Sequence, residues 1–137
     1  MSSPASGASP KKKKNRRYRC GEYHFDTGKV LGTGSFAKVY AGHHETRVHE
    51  KVAVKRILLQ KIDDRIAKAL ESEVRAQQQM EHANIVRLLH VRRHKEAGWP
   101  RLLVLEMCEG GDLQRYIKRN GPLHEVHARR LLVFLPL

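Results

Sequence analysis

The stretch "GTGSFAKVY", Gly32–Tyr40, places two glycines two positions apart, and the elements on either side of it decide how the chain folds. A phosphate-binding loop spaced G-x-G-x-x-G asks for a third glycine where Ala37 stands. The dinucleotide-binding form tolerates alanine there, but it requires a helix to begin at the loop so that helix N–H groups face a pyrophosphate. Here the following residues alternate instead. Val39 and Ala41 fall on one face and Lys38 and Tyr40 on the other, which is the period of a strand. With "YHFDTGKVL" (23–31) ahead of it, the loop reads as the tip of a β-hairpin folding over phosphates. Gly32 and Gly34 let the backbone bend and approach a ligand, and Ser35 and Phe36 form the tip. Glycine-rich hairpin turns also arise for steric reasons alone, so the loop is weighed with its surroundings.

Downstream, the polar connection "HHETRVHE" leads to the short β-branched strand "KVAVKRI", with Lys55 closing "VAVK". The period then lengthens: Ile66, Leu70, Val74 and Met80 recur at helical spacing from about Asp63 to Glu81. Glu73, eighteen residues after Lys55, sits beside that apolar stripe. A Lys55–Glu73 pair would hold the ammonium over nucleotide phosphates, whereas the plainer reading of Lys55 is a side chain reaching solvent. Two further strands are expected, "NIVRLLHV" and "RLLVLEM", joined through a turn at "EAGWP". The second runs into "CEGGDL", where exposed backbone C=O and N–H groups suit an adenine edge. Helical stretches follow at about Asp112–Arg119, stopped by "NGP", and about His124–Leu135.

The 137 residues suit about one small domain. The formal charge is +13, of which Lys11–Lys14, Arg16, Arg17 and Arg19 supply +7 before the first hydrophobic pattern. Residues 1–20 are expected to form a disordered basic tail, because small polar residues and like charges bury too little to offset the entropy of ordering. Residues 11–19 are a candidate contact for nucleic acid or anionic membrane, or a nuclear-import signal; the bland alternative is a solubilising tail. Only Tyr18 is interleaved, so no base-stacking platform is present. Cys20 and Cys108 lie far apart without a secretory leader, which favours a reducing cytoplasmic or nuclear location. No apolar run approaches the roughly 20 residues of a transmembrane helix.

Taken in order, these features resemble the N-terminal lobe of a eukaryotic protein kinase: glycine hairpin, "VAVK" strand, helix with its glutamate, "HANIVRLL", and the hinge "LEMCEGGDL". The resemblance covers about residues 23–134, and "GTGSFAKVY", "NIVRLL" and "CEGGDL..YI...GPL.E..AR" look most like the autophagy-initiating, uncoordinated-like serine/threonine kinases. It implies an α+β fold, a five-stranded antiparallel sheet with one packed helix over residues 21–108. The hinge and an incomplete helical C-lobe would follow over 109–137. It also implies ATP as cofactor, with Mg2+, and a protein substrate or partner kinase. By resemblance, Leu31, Val39 and Ala53 would cover the adenine, and Lys55 would bind phosphates and pair with Glu73. Leu105 would be the gatekeeper, Glu106 and Cys108 would offer hinge backbone, Asp112 would face the ribose, and Leu113 would pack beneath the ring.

Two departures stand out. Four residues after the helix glutamate the family usually has an aliphatic side chain, stacked here on Leu88; this chain has Gln77, which either finds a polar partner or leaves the helix loosely seated. Residues 1–137 also contain no H-R-D-x-x-x-x-N and no D-F-G, so the chain is expected to be a truncated, catalytically incompetent piece without its magnesium ligands. A non-catalytic module docking on a partner kinase or regulator is the alternative, through the apolar run Leu131–Leu135. Nine histidines raise a metal reading, but His90 and His94 fall at a strand end and His43, His44 and His49 in a loop, with no carboxylate or cysteine completing a set.

Overall fold

The computed structural model describes residues 15–133. Six strands form one antiparallel sheet in the order β1-β2-β3-β4-β6-β5. They are β1 (Arg17–Cys20), β2 (Tyr23–Thr33), β3 (Ala37–His44), β4 (Lys51–Ile57), β5 (Leu88–Arg93) and β6 (Pro100–Glu106). Helix α1 (Asp64–Gln79) lies between β4 and β5 in the chain, and α2 (Leu113–Asn120) and α3 (Glu125–Val133) follow β6.

The sheet has a core on each face. On one, Phe25, Tyr40, Val52, Val54, Leu102 and Val104 close over Cys20 and Tyr23. On the other, Ala37, Ile57 and Leu103 meet Leu70 and Val74 of α1. Side chains alternate along a strand, so β4 gives Val52 and Val54 to the first core and Ile57 to the second. Asp63 starts α1 by accepting the Ile66 N–H at 2.8 Å. Asp112 does the same for α2 from Arg115 at 2.7 Å. Gly121 ends α2 at φ 84°, a left-handed conformation that glycine adopts without a Cβ penalty.

The expected five strands become six. Residues 1–14 of the expected tail lie outside the described residues, but Arg17–Cys20 pairs with β2, from Arg17↔Asp26 to Cys20↔Tyr23. The two-residue loop Gly21–Glu22, with Gly21 at φ 62°, supplies the hairpin turn. Tyr18 and Cys20 share a face: Tyr18 stacks on Phe25 at 5.5 Å and Cys20 is wholly buried. Burial pushes the Cys20 thiol pKa up, against a smaller opposing effect of Arg92. The strand expected from Asn84 begins only at Leu88, because His82 turns the chain by accepting N–H groups from Asn84 and Ile85.

Candidate functional site

The register of the central strands gathers four of the expected adenine and phosphate residues. Val39 stands opposite Lys55 and Ala41 opposite Ala53; Ala53 is in turn opposite Leu105, and Lys55 opposite Leu103. Since Leu103 and Ile57 belong to the core beneath α1, alternation puts Val39, Ala53, Lys55 and Leu105 on that same face. All four are half-buried. Leu31 stands at the side of this surface, 42% exposed. It lines a groove of about 480 Å³ with Ala41, Lys51, Met107 and Glu109, among others.

The hairpin tip is held by two backbone bonds: Gly34 N–H donates to the Ala37 carbonyl at 2.8 Å, and Leu58 N–H to the Phe36 carbonyl at 2.8 Å. Ser35 and Phe36 are exposed. Ala37 faces away from the tip, its methyl buried with Ile57, Leu70, Val74 and Leu103. Neither Gly32 nor Gly34 has a positive φ. A Cβ on Gly32 would meet nothing within 4 Å, and one on Gly34 only the Ala37 carbonyl at 3.6 Å.

At the other end of the surface, the Glu106 N–H donates to the Arg87 carbonyl at 3.0 Å and its carboxylate accepts the Arg87 N–H at 3.2 Å. Cys108 is exposed, its carbonyl accepting from Gly111 at 3.3 Å. Lys51 ties β4 to this segment through Glu109 at 2.7 Å; their bond raises the lysine pKa and lowers that of the carboxyl. Leu113 is 50% exposed. Asp112 uses Oδ1 to cap α2.

The expected Lys55–Glu73 pair is not formed. Glu73 is exposed on α1, and no ion pair among the described residues includes either side chain. The glutamate that fastens α1 to the sheet is Glu71. Its two oxygens accept from Nη1 and Nη2 of Arg93 on β5, at 2.5 and 3.0 Å, and Arg75 adds a third bond at 3.2 Å. The bond to Arg93, helped by Arg75, holds the Glu71 carboxyl below its ordinary pKa, and Glu71 raises that of Arg93. The i, i+4 spacing of Glu71 and Arg75 was legible, but the partner on β5 carried no local signal. Gln77, by contrast, is satisfied: its Nε2 donates to the Val86 carbonyl at 3.0 Å.

No three His, Cys, Asp or Glu side chains among the described residues converge as metal ligands. His94 stacks on Trp99 at 5.4 Å instead. Lys11–Lys14 lie outside the described residues, and Arg19 is paired with Glu45 at 2.9 Å. Among the described residues no helix is long and apolar enough to cross a membrane.

A family model for the protein kinase domain matches residues 25–135. The chain is 34% identical to serine/threonine-protein kinase ATG1b of Arabidopsis thaliana, over 81% of this chain and 15% of that protein. It is 36% identical to the probable serine/threonine-protein kinase MARK-C of Dictyostelium discoideum, over 88% of this chain and 15% of that protein. It therefore spans about one-seventh of the length of these relatives. A crystal structure of Rad53 in complex with AMP-PNP superposes with a TM-score of 0.64 at 26% identity, covering 80% of this chain and 27% of that one.

Proposed function

The chain belongs to the protein kinase family, and from that membership we propose that it is the ATP-binding half of a serine/threonine kinase, unable to transfer phosphate by itself. One observation carries the reading. Gly32 and Gly34 are required neither by backbone conformation nor by neighbouring atoms, which supports close approach of a ligand to the backbone as the reason for them. They stand at the end of the surface that holds Val39, Lys55, Ala53 and Leu105.

In this reading Leu31, Val39 and Ala53 cover the adenine and Leu113 supports it from the hinge side. The backbones of Glu106 and Cys108 meet its polar edge. Lys55 holds the α- and β-phosphates, and Asp112 keeps Oδ2 for a ribose hydroxyl while Oδ1 caps α2. ATP supplies the phosphoryl group. The described residues do not fit a magnesium site, since no three His, Cys, Asp or Glu side chains converge. The aspartate that would accept a substrate proton belongs to a motif that residues 1–137 do not contain.

An NMR titration of the chain with ATP tests the proposal. Shifts are expected at the amides of Gly32, Gly34, Ser35 and Cys108, at weak affinity; shifts elsewhere only would overturn the binding site. Transfer of labelled γ-phosphate to a protein substrate by the purified chain would overturn the incompetence. A second reading, docking on a partner kinase or regulator, is favoured by Tyr116, Ile117, Val126, Leu131 and Leu132, which α2 and α3 leave exposed. A stable, soluble monomer would count against it.

A further inference from the structure

The sheet face turned away from α1 carries a row of cations that the nucleotide site does not use. Lys38 on β3 stands directly opposite Arg56 on β4. Arg56 is opposite Leu102 on β6, and Leu102 is opposite Arg92 on β5. Leu102 belongs to the core of this face, so alternation brings Lys38, Arg56 and Arg92 to the same side. Like charges directly opposite each other in a sheet are destabilising.

Between β1 and β6 the row opens into a cavity of about 230 Å³, lined by Arg19, Arg56, Arg92 and Arg101 above Phe25 and Leu102, with no carboxylate in its wall. Every Asp and Glu of the chain lies within the described residues. Only Arg19 of these four has a carboxylate partner, Glu45. Arg56 lies over the Tyr18 ring, 5.9 Å from its centroid. Arg92 Nη1 donates to the Arg19 carbonyl at 3.1 Å, so β1 positions it. Arg56 and Arg101 are half-buried without an ion pair.

We propose that this cavity binds the phosphoryl group of a phosphorylated serine or threonine in a protein segment. Guanidinium forks match phosphate oxygens bidentately, and clustered arginines are a recurring means of recognising phosphorylated residues. A single concave site suits one phosphoryl group. Single-stranded nucleic acid would need free aromatic faces, and the Tyr18 ring is already engaged by Phe25 and Arg56. This site lies on the face opposite the nucleotide surface and stands independently of the kinase reading above.

The test titrates the full 137-residue chain with a short Gly/Ala peptide carrying one phosphoserine, while the arginine Nε–H signals are followed by NMR. Those of Arg56, Arg92 and Arg101 are expected to shift, and the unphosphorylated peptide to leave them unchanged. R56Q and R101Q should each weaken binding about tenfold or more, as loss of a charge-assisted phosphate contact does. R56Q should change the melting temperature little, because relief of the repulsion with Lys38 offsets the lost contact with the Tyr18 ring; this separates lost binding from lost folding. Deleting residues 1–14 should leave peptide affinity within about twofold, since the site, not the basic run, holds the ligand. Equal binding of both peptides, undiminished binding by both variants, or response only to phosphatidylserine vesicles or single-stranded oligonucleotides would overturn the proposal.

Discussion

The side-chain amide of Gln77 donates to the main-chain carbonyl of Val86, 3.0 Å away, and so ties the last turn of α1 to the segment entering β5. A family-typical aliphatic residue at 77 would have stacked toward Leu88, but here the helix end is held by a polar clip. Q77L should lower stability by about 0.5–1.5 kcal/mol, the net worth of one such bond. Thermal unfolding would register this as a fall of a few degrees. A raised melting temperature would show that apolar packing outweighs the clip.

Ala37 occupies the third glycine position of the loop, yet its methyl belongs to the core under α1. A37G should therefore cost about 1–2 kcal/mol, from one buried methyl and added backbone entropy. Affinity for ATP should not improve. Tighter ATP binding by A37G would mean that the methyl obstructs the phosphates after all.

The glycines divide into two kinds. G32A and G34A should leave the melting temperature unchanged or raise it by the effect of about 0.4–1 kcal/mol that a compatible alanine gives, while weakening ATP binding. G42A should destabilise, because its Cβ would clash with the His24 carbonyl. Differential scanning fluorimetry with and without ATP separates the cases, and a strongly destabilised G32A would show that the fold, not a ligand, requires that glycine.

Glu71 has its pKa depressed in the folded state, chiefly by its bond to Arg93. The unfolded chain thus binds this proton more readily, and stability rises with pH through that window. The contribution is complete above the ordinary glutamate range and is lost as pH falls below it, through the folded pKa. Chemical denaturation between about pH 3 and 6 should show E71Q less stable than the parent at the upper end, with the difference shrinking toward the lower. A constant difference would indicate that the carboxylate's charge is not what matters.

Hairpin, central strands and α1 were legible because their signals are local: alternation around Val39 and helical spacing from Ile66 to Val74. Strand β1 was missed because the lysine and arginine run masked the alternation of Tyr18 and Cys20 and the Gly21–Glu22 turn after them. The surface bringing Val39, Lys55, Ala53 and Leu105 together follows from strand alternation once the order is known. The choice of Glu71 over Glu73 does not, since it depends on where Arg93 emerges on a strand more than twenty residues later. Sequence patterns record which face of an element is apolar, but not which charged neighbour reaches it first.

The short strand β1 has one more consequence. It is an outer margin of the sheet, four residues long and bearing Arg17 and Arg19; without it the eleven-residue β2 would take that place. A long strand with open backbone groups is a template for another chain, whereas a short, cationic one repels its own copy. Those four residues cover Tyr23–Asp26 of β2 and guard that part of the margin against self-association, so a chain begun at Tyr23 should assemble with itself more readily than the longer one.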